Sequence, residues 1–224
     1  YGVKIPIRVI PTGVDIKSMN EADNRDIRAE LDIDKDAPVI LTLSRIAAEK
    51  KIDHILDVMP DIIEEFPKVK LVIAGDGPDV KMLKEHVERL TLEDYVIFTG
   101  AIAHEDVGNY YKMADLFVSA SDTETQGLTY IEALAAGTQC VVYDTDYTEH
   151  VFDDEMYGKI FTTKKEMLAD ILWYLRQGKI KIPQDKLENK MDQVSAKHFG
   201  LEVYDFYQDV INKYQIEHEE ELND

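Results

Sequence analysis

At 224 residues and 45% hydrophobic, the chain is long enough to bury a full core as one large domain with a helical appendage. Its 25 basic and 45 acidic residues give a net charge of −20, which repels phosphate backbones and anionic lipid at long range and argues against nucleic acid as a partner. No stretch holds the roughly 18 apolar residues of a membrane span, and the first residues, Tyr1-Gly2-Val3-Lys4-Ile5-Pro6, lack a charged-then-apolar signal pattern. With one cysteine, Cys140, placed in an apolar run, the sequence reads as a cytoplasmic protein without disulfides.

Ile7-Arg8-Val9-Ile10 is a strand candidate, followed by a turn at Pro11-Thr12-Gly13-Val14-Asp15. Residues 27–31 can form one or two helical turns. Val39-Ile40-Leu41-Thr42-Leu43 has the continuous apolar character of a strand buried on both faces. It runs into Ser44-Arg45-Ile46-Ala47-Ala48-Glu49-Lys50-Lys51 and then a helix whose stripe is Ile52, Ile55, Leu56, Met59, Ile62, Ile63 and Phe66. Arg45 and Lys50 thus flank a strand-to-helix loop. A guanidinium fork and an ammonium point charge there can neutralise a diphosphate, although an ordinary helix start with solvated charges has the same composition.

Leu71-Val72-Ile73-Ala74 is the next strand, ending in Gly75-Asp76-Gly77-Pro78 before a helix over 79–90, with Pro78 suited to its first position. Gly75 and Gly77 begin a dinucleotide fingerprint, but Val80 stands where its third glycine is required, which argues against a nicotinamide enzyme. Residues 95–100 form a further strand with Ile102 and Ala103 at its carboxyl end. His104-Glu105-Asp106 opens a helix through Tyr110, Tyr111 and Met113, and His104 reads as a helix-start residue rather than a catalyst.

Residues 115–144 read as strand, loop, helix, turn, strand. Leu116, Phe117 and Val118 form one strand, Leu128, Ile131 and Ala135 recur at helical spacing, and Cys140, Val141 and Val142 form a second strand. Gly127 opens the helix and Gly137 closes it, so residues 119–126 sit at the carboxyl end of a parallel strand, where such sheets place ligands. Glu124 lies before the helix and Glu132 on its second turn, while the N–H groups of Gly127, Leu128 and Thr129 point into the crevice. Backbone donors and the helix dipole would hold phosphate there, and the carboxylates would accept from sugar hydroxyls.

A short helix over 147–153, a last strand at 159–161 and helices over 164–177, 184–197 and 201–216 follow. Tyr204, Phe206 and Tyr207 read as packing, and residues 218–221 as a frayed tail. Asp144-Thr145-Asp146 fits an Asp-x-Asp metal pattern, but so do Asp32-Ile33-Asp34 and Asp34-Lys35-Asp36, and the six histidines show no paired ligand spacing. The expectation is no metal and no cofactor, with Arg45 and Lys50 in the electrostatic role. The fold class is α/β, a Rossmann-like doubly wound parallel sheet with C-terminal helices. It is read as one domain over 1–224, with its core at about 7–178 and the helices at about 184–216.

Glu124 and Glu132, with Gly127-Leu128 between them and Glu132-Ala133-Leu134-Ala135-Ala136-Gly137 closing the segment, resemble the E-x7-E motif of glycosyltransferase family 4, the group 1 enzymes of GT-B architecture. Residues 44–51 are similar to the family's G-R-L-x-x-E-K-G, with Ser44 and Lys51 in place of its glycines. Gly75-Asp76-Gly77-Pro78 and Pro11-Thr12-Gly13-Val14-Asp15 match further segments in the same order. The resemblance runs from about Val9 to Gln177. It implies the donor-binding half of a retaining enzyme, with an N-terminal acceptor domain lying outside this chain and braced by the final helix.

It also implies roles. Arg45, Lys50 and the helix start at 127–129 would stabilise the departing diphosphate, Glu124 would hold the hexose and Glu132 the ribose. Backbone near Ile102 and Ala103 would receive the base, and Gly13 would lie near the interdomain cleft. Within the family, Ser119-Ala120-Ser121 and residues 124–130 look like bacterial enzymes that glucosylate diacylglycerol or its monoglycosyl form from UDP-glucose. Gln126 and Gln139 depart from commoner residues. Such an enzyme would work at the inner face of a membrane. A relative acting on a polysaccharide or small molecule, a non-catalytic nucleotide-binding module and a doubly wound signalling domain remain as alternatives.

Overall fold

The computed structural model describes Ile7, Arg8, Ile10, Thr12, Gly13 and residues 25–124 and 127–222, with the side chains of Asp146, His150 and residues 217–222 excepted. Among these residues a single six-stranded sheet has the order β3-β2-β1-β4-β5-β6. The strands are β1 (Val39–Leu43), β2 (Lys70–Ala74), β3 (Val96–Gly100), β4 (Leu116–Ser119), β5 (Gln139–Tyr143) and β6 (Gly158–Phe161). Every pairing is parallel.

Parallel strands need crossovers, and the sequence supplies a helix after each. These are α2 (Ile52–Glu65), α3 (Val80–Leu90), α4 (Val107–Met113), α5 (Leu128–Ala135), α6 (Asp146–Val151) and α7 (Lys164–Gln177), preceded by α1 (Ile27–Glu30) and followed by α8 (Gln184–Gln193) and α9 (Ala196–Leu222). Strand residues alternate between two cores. Leu41, Val72, Phe117, Cys140 and Val142 pack with α4, α5 and α6, whereas Ile40, Leu71, Ile73, Leu116, Val118 and Val141 pack with α2, α3 and α7. Because both faces are covered, the strands read as continuous apolar runs rather than alternating ones. Cys140 is fully buried in the first core.

Two glycines lace the ends of β1 and β2 together. A Cβ on Gly75 would stand 1.9 Å from the Ser44 carbonyl oxygen, and Gly75 holds φ +136°, which side chains rarely adopt. A Cβ on Gly77 would stand 2.0 Å from the Ile46 oxygen. The gap is closed by Ser44 N donating to Ala74 O at 3.1 Å and Ile46 N to Asp76 O at 2.9 Å.

Three expectations are corrected. Ile7, Arg8 and Ile10 are not in a strand; the sheet ends at β3 and β6, and Arg8 is drawn instead to Glu202 on α9 at 2.6 Å. Val9, Pro11, Val14 and Asp15 lie outside the described residues. Pro78 precedes the helix instead of opening it, because Asp79 N is spent on Ile46 O and α3 begins only at Val80. The expected break at 198–200 lies earlier, where Ser195 Oγ accepts from His198 N at 3.0 Å and caps a helix that continues through Gly200 to Leu222, residues 218–221 included. Tyr204 and Tyr207 on that helix, expected to pack, are exposed among the described residues. No helix among the described residues is long and apolar enough to cross a membrane.

Gly75→Ala should lower the unfolding free energy by at least about 2 kcal/mol in urea denaturation, from the combined strain and backbone clash. An unchanged midpoint would contradict the close approach of the two strand ends.

Candidate active site

Strands β1 and β4 are neighbours, yet the helices that follow them go to opposite faces, α2 to one core and α5 to the other. The two loops therefore part at their carboxyl ends, and a crevice opens where the strand order reverses. It has a volume of about 450 Å3 and is lined by Arg45, Asp76, Ile102, His104, Thr129 and Glu132 among others. Four of the expected residues, Arg45, Ile102, Thr129 and Glu132, thus meet in one place.

Gly127 starts α5 with φ +50°. A side chain there would strike the Tyr130 ring at 2.5 Å and Tyr147 at 3.0 Å, so the turn needs glycine for space as well as for conformation. The helix has no side-chain cap, and the N–H groups of Gly127, Leu128 and Thr129 find no acceptor among the described residues. These donors face the crevice end of the helix. Leu128 is partly exposed there, while Tyr130 turns inward and shares a 3.3 Å hydrogen bond with Ser119.

Glu132 lies one turn in. Its Oε2 accepts from the hydroxyl of the fully buried Tyr111 at 3.1 Å. Burial pushes its carboxyl above the usual range, opposed by the Tyr111 hydrogen bond and by nearby His104. Arg45 reaches the crevice with its side chain 69% exposed and only a loose 4.0 Å approach to Glu49, so its guanidinium remains available to an anion.

Lys50 and Glu124 do not stand apart as separate binding groups. Lys50 Nζ donates to Glu124 Oε1 in a short, half-buried ion pair that joins the loop after β1 to the loop after β4. A second clasp lies beside it. Lys51 pairs with Asp122 and sits 5.7 Å from the Tyr143 ring centre. The Lys51 hydrogen bond holds the Asp122 carboxyl below its usual range. Lys51 does this from a left-handed backbone, φ +48°, where glycine is the easier residue.

The remaining candidates lie outside the crevice lining. Ala103 accepts from Asp106 N at 3.0 Å and starts the turn beside the crevice, while Gly13 packs against the backbone of Ser195 and Ala196 at the start of α9. Gln126 lies outside the described residues. Sequence reasoning missed Asp76 and His104 as lining residues, the Lys51–Asp122 clasp, and Tyr111. The signal for Tyr111 was its place on the inward face of α4, since a buried tyrosine hydroxyl requires a partner. Among the described residues no group of three His, Cys, Asp or Glu side chains is placed to hold a metal.

Residues 23–197 match the family described as glycosyl transferases group 1. The chain is 39% identical over 219 residues to an alpha-monoglucosyldiacylglycerol synthase of Streptococcus pneumoniae, covering 94% of this chain and 49% of that protein. It is 32% identical to the synthase of the same name from Acholeplasma laidlawii, covering 92% of this chain and 53% of that one. The chain thus spans about half the length of these relatives. Among solved structures, sucrose-phosphate synthase from Thermosynechococcus elongatus superposes with a TM-score of 0.78 at 24% identity, over 92% of this chain and 53% of that one. Anabaena HepE, solved with UDP-glucose, gives a TM-score of 0.74 at 20% identity, over 88% and 56%. These two likenesses carry the fold, and the matched family covers most of the chain. The chain belongs to the glycosyl transferases group 1 family.

Proposed function

We propose that this chain is the donor-binding half of a retaining hexosyltransferase that moves glucose from UDP-glucose to a diacylglycerol or monoglucosyldiacylglycerol acceptor. The observation that carries the reading is the meeting of Arg45, Thr129 in the first turn of α5 and Glu132 in one crevice at the sheet's topological switch point. A nucleoside diphosphate has an anionic middle and hydroxyl-bearing ends, and this crevice offers donors for the first and an acceptor for the second. The names of the two synthases support the glycolipid acceptor, and the UDP-glucose complex of HepE supports the donor.

In this reading the bond between the anomeric carbon and the β-phosphate oxygen breaks, and UDP leaves. Arg45, Lys50 and the α5 N-terminus stabilise the charge growing on that phosphate, which is the largest electrostatic demand of the step. The acceptor hydroxyl joins the anomeric carbon on the same face, and its proton passes to the departing phosphate oxygen. No metal is required, because the two cations and the helix carry that charge. The Lys50–Glu124 pair sets the partners ready: phosphate can replace Glu124 at Lys50, and a hexose hydroxyl can replace Lys50 at Glu124. Glu132 takes the ribose, and backbone near Ile102 and Ala103 receives the base. The acceptor side belongs to a further domain, against which the exposed Tyr204 and Tyr207 of α9 would pack. The full-length enzyme would meet its acceptor at a membrane surface.

The two glutamates separate by ligand in calorimetric titration. Glu132→Ala should weaken UDP and UDP-glucose by a similar factor. Glu124→Ala frees Lys50 for phosphate, so UDP affinity should hold or rise while UDP-glucose loses roughly 1–3 kcal/mol relative to UDP. Equal losses for the two ligands in Glu124→Ala would remove the hexose assignment.

Glu132 also links binding to stability. Its folded pKa is raised, so its ionised form costs stability as pH rises from the ordinary 4.5 through the folded value, and nothing below. Glu132→Gln should therefore raise Tm at pH 7 in thermal denaturation. The gain should vanish near pH 4. A lower Tm at pH 7 would show that the ionised carboxylate is well satisfied by the fold itself.

A further inference from the structure

Tyr111 has no part in the family motifs described above, yet its hydroxyl reaches the Glu132 carboxylate. It lies on α4, fully buried, with its ring edge-on to Phe117 at 5.5 Å between centroids and its carbonyl accepting from Thr138 Oγ1 at 2.7 Å. Ring and backbone are both fixed, so the hydroxyl has little freedom. It donates to Glu132 Oε2 at 3.1 Å.

A glutamate side chain has three rotatable bonds, and fixing them on binding costs up to roughly 2 kcal/mol. A donor anchored in the core bears that cost on folding instead. Tyr111 occupies one lone pair of Oε2, so the carboxylate keeps further acceptor capacity in the crevice that Glu132 lines. We infer that Tyr111 is the positioning residue of this site, holding the Glu132 carboxylate aimed so that it can accept from the two vicinal hydroxyls of a ribose. This rests on the proposed function for the identity of the ligand, and on the Tyr111–Glu132 contact for the device itself.

The surroundings of Glu132 make the effect readable. His104 faces it from the turn before α4, Tyr111 from α4 itself, and Arg45 and Asp76 line the crevice opposite. His104 and Tyr111 both favour the ionised form, and burial opposes them. Removing the tyrosine hydroxyl takes away one of the two supports.

Tyr111→Phe keeps the ring and its contact with Phe117. In this variant UDP affinity at pH 7 should fall roughly five- to tenfold, the scale of an ordinary net hydrogen bond. The titration midpoint of the Glu132 carboxyl carbon, followed by NMR in the ligand-free chain, should rise. Added to Glu132→Ala, the same change should cost no further affinity, because Tyr111 acts only through that carboxylate. An unmoved carboxyl midpoint, unchanged UDP affinity, or a further loss in the Glu132→Ala background would each overturn the inference. Should the variant not fold, the Tyr111 hydroxyl proton itself still decides. A Tyr111 hydroxyl proton that exchanges slowly and disappears in Glu132→Ala supports the contact, and its absence overturns it. If the unmodified chain does not bind UDP, the proposed function falls, while the carboxyl titration still reports whether Tyr111 holds Glu132.

Discussion

The chain's chemistry depends on one topological constraint: the sheet is parallel throughout and reverses its order of growth between β1 and β4. Right-handed crossovers then send α2 and α3 to one face and α4, α5 and α6 to the other. Between the connections that diverge from the carboxyl ends of β1 and β4 the crevice opens. A helix N-terminus, a guanidinium and a half-buried carboxylate gather there, where the two connections part.

That opening needs holding, and in a chain of net charge −20 the means is ionic. Lys50–Glu124 and Lys51–Asp122 join the parted loops, at the same strand ends that Gly75 and Gly77 lace from the other side. Exposed pairs contribute little, about 0–1 kcal/mol each, and the half-buried Lys50–Glu124 pair must also offset its own desolvation. Such pairs define geometry more than they stabilise the fold. The left-handed backbone of Lys51 costs of order 1 kcal/mol and is kept by a side chain that spans the gap.

The sheet was legible because both of its faces are buried, so each strand appears as an unbroken apolar run bounded by glycine or polar residues. The helices that carry apolar stripes, such as Ile52, Ile55, Leu56 and Met59, were legible for the same reason. What escaped was decided across the chain. Ile7 to Ile10 has the composition of a strand, but pairing needs a free sheet edge in reach, and Arg8 found Glu202 instead. Pro78 has the local preference of a first helical residue, but Ile46 claims the backbone beside it. At the site, the motif residues were visible and their pairing was not. Nothing local in Lys50 or Glu124 announces the other, and Tyr111 shows as an ordinary core aromatic until its hydroxyl is seen to end on Glu132.

The central claim is that the crevice at the switch point receives a nucleoside diphosphate. Backbone amide shifts recorded by NMR during a UDP titration test it most directly. The account predicts shifts concentrated at residues 44–46, 101–104 and 127–132, with the amino ends of the strands, at Val39 and Leu116, unmoved. Shifts confined to the cavity between α6 and α9, at Tyr147 and Phe199, or no shifts at all, would contradict it.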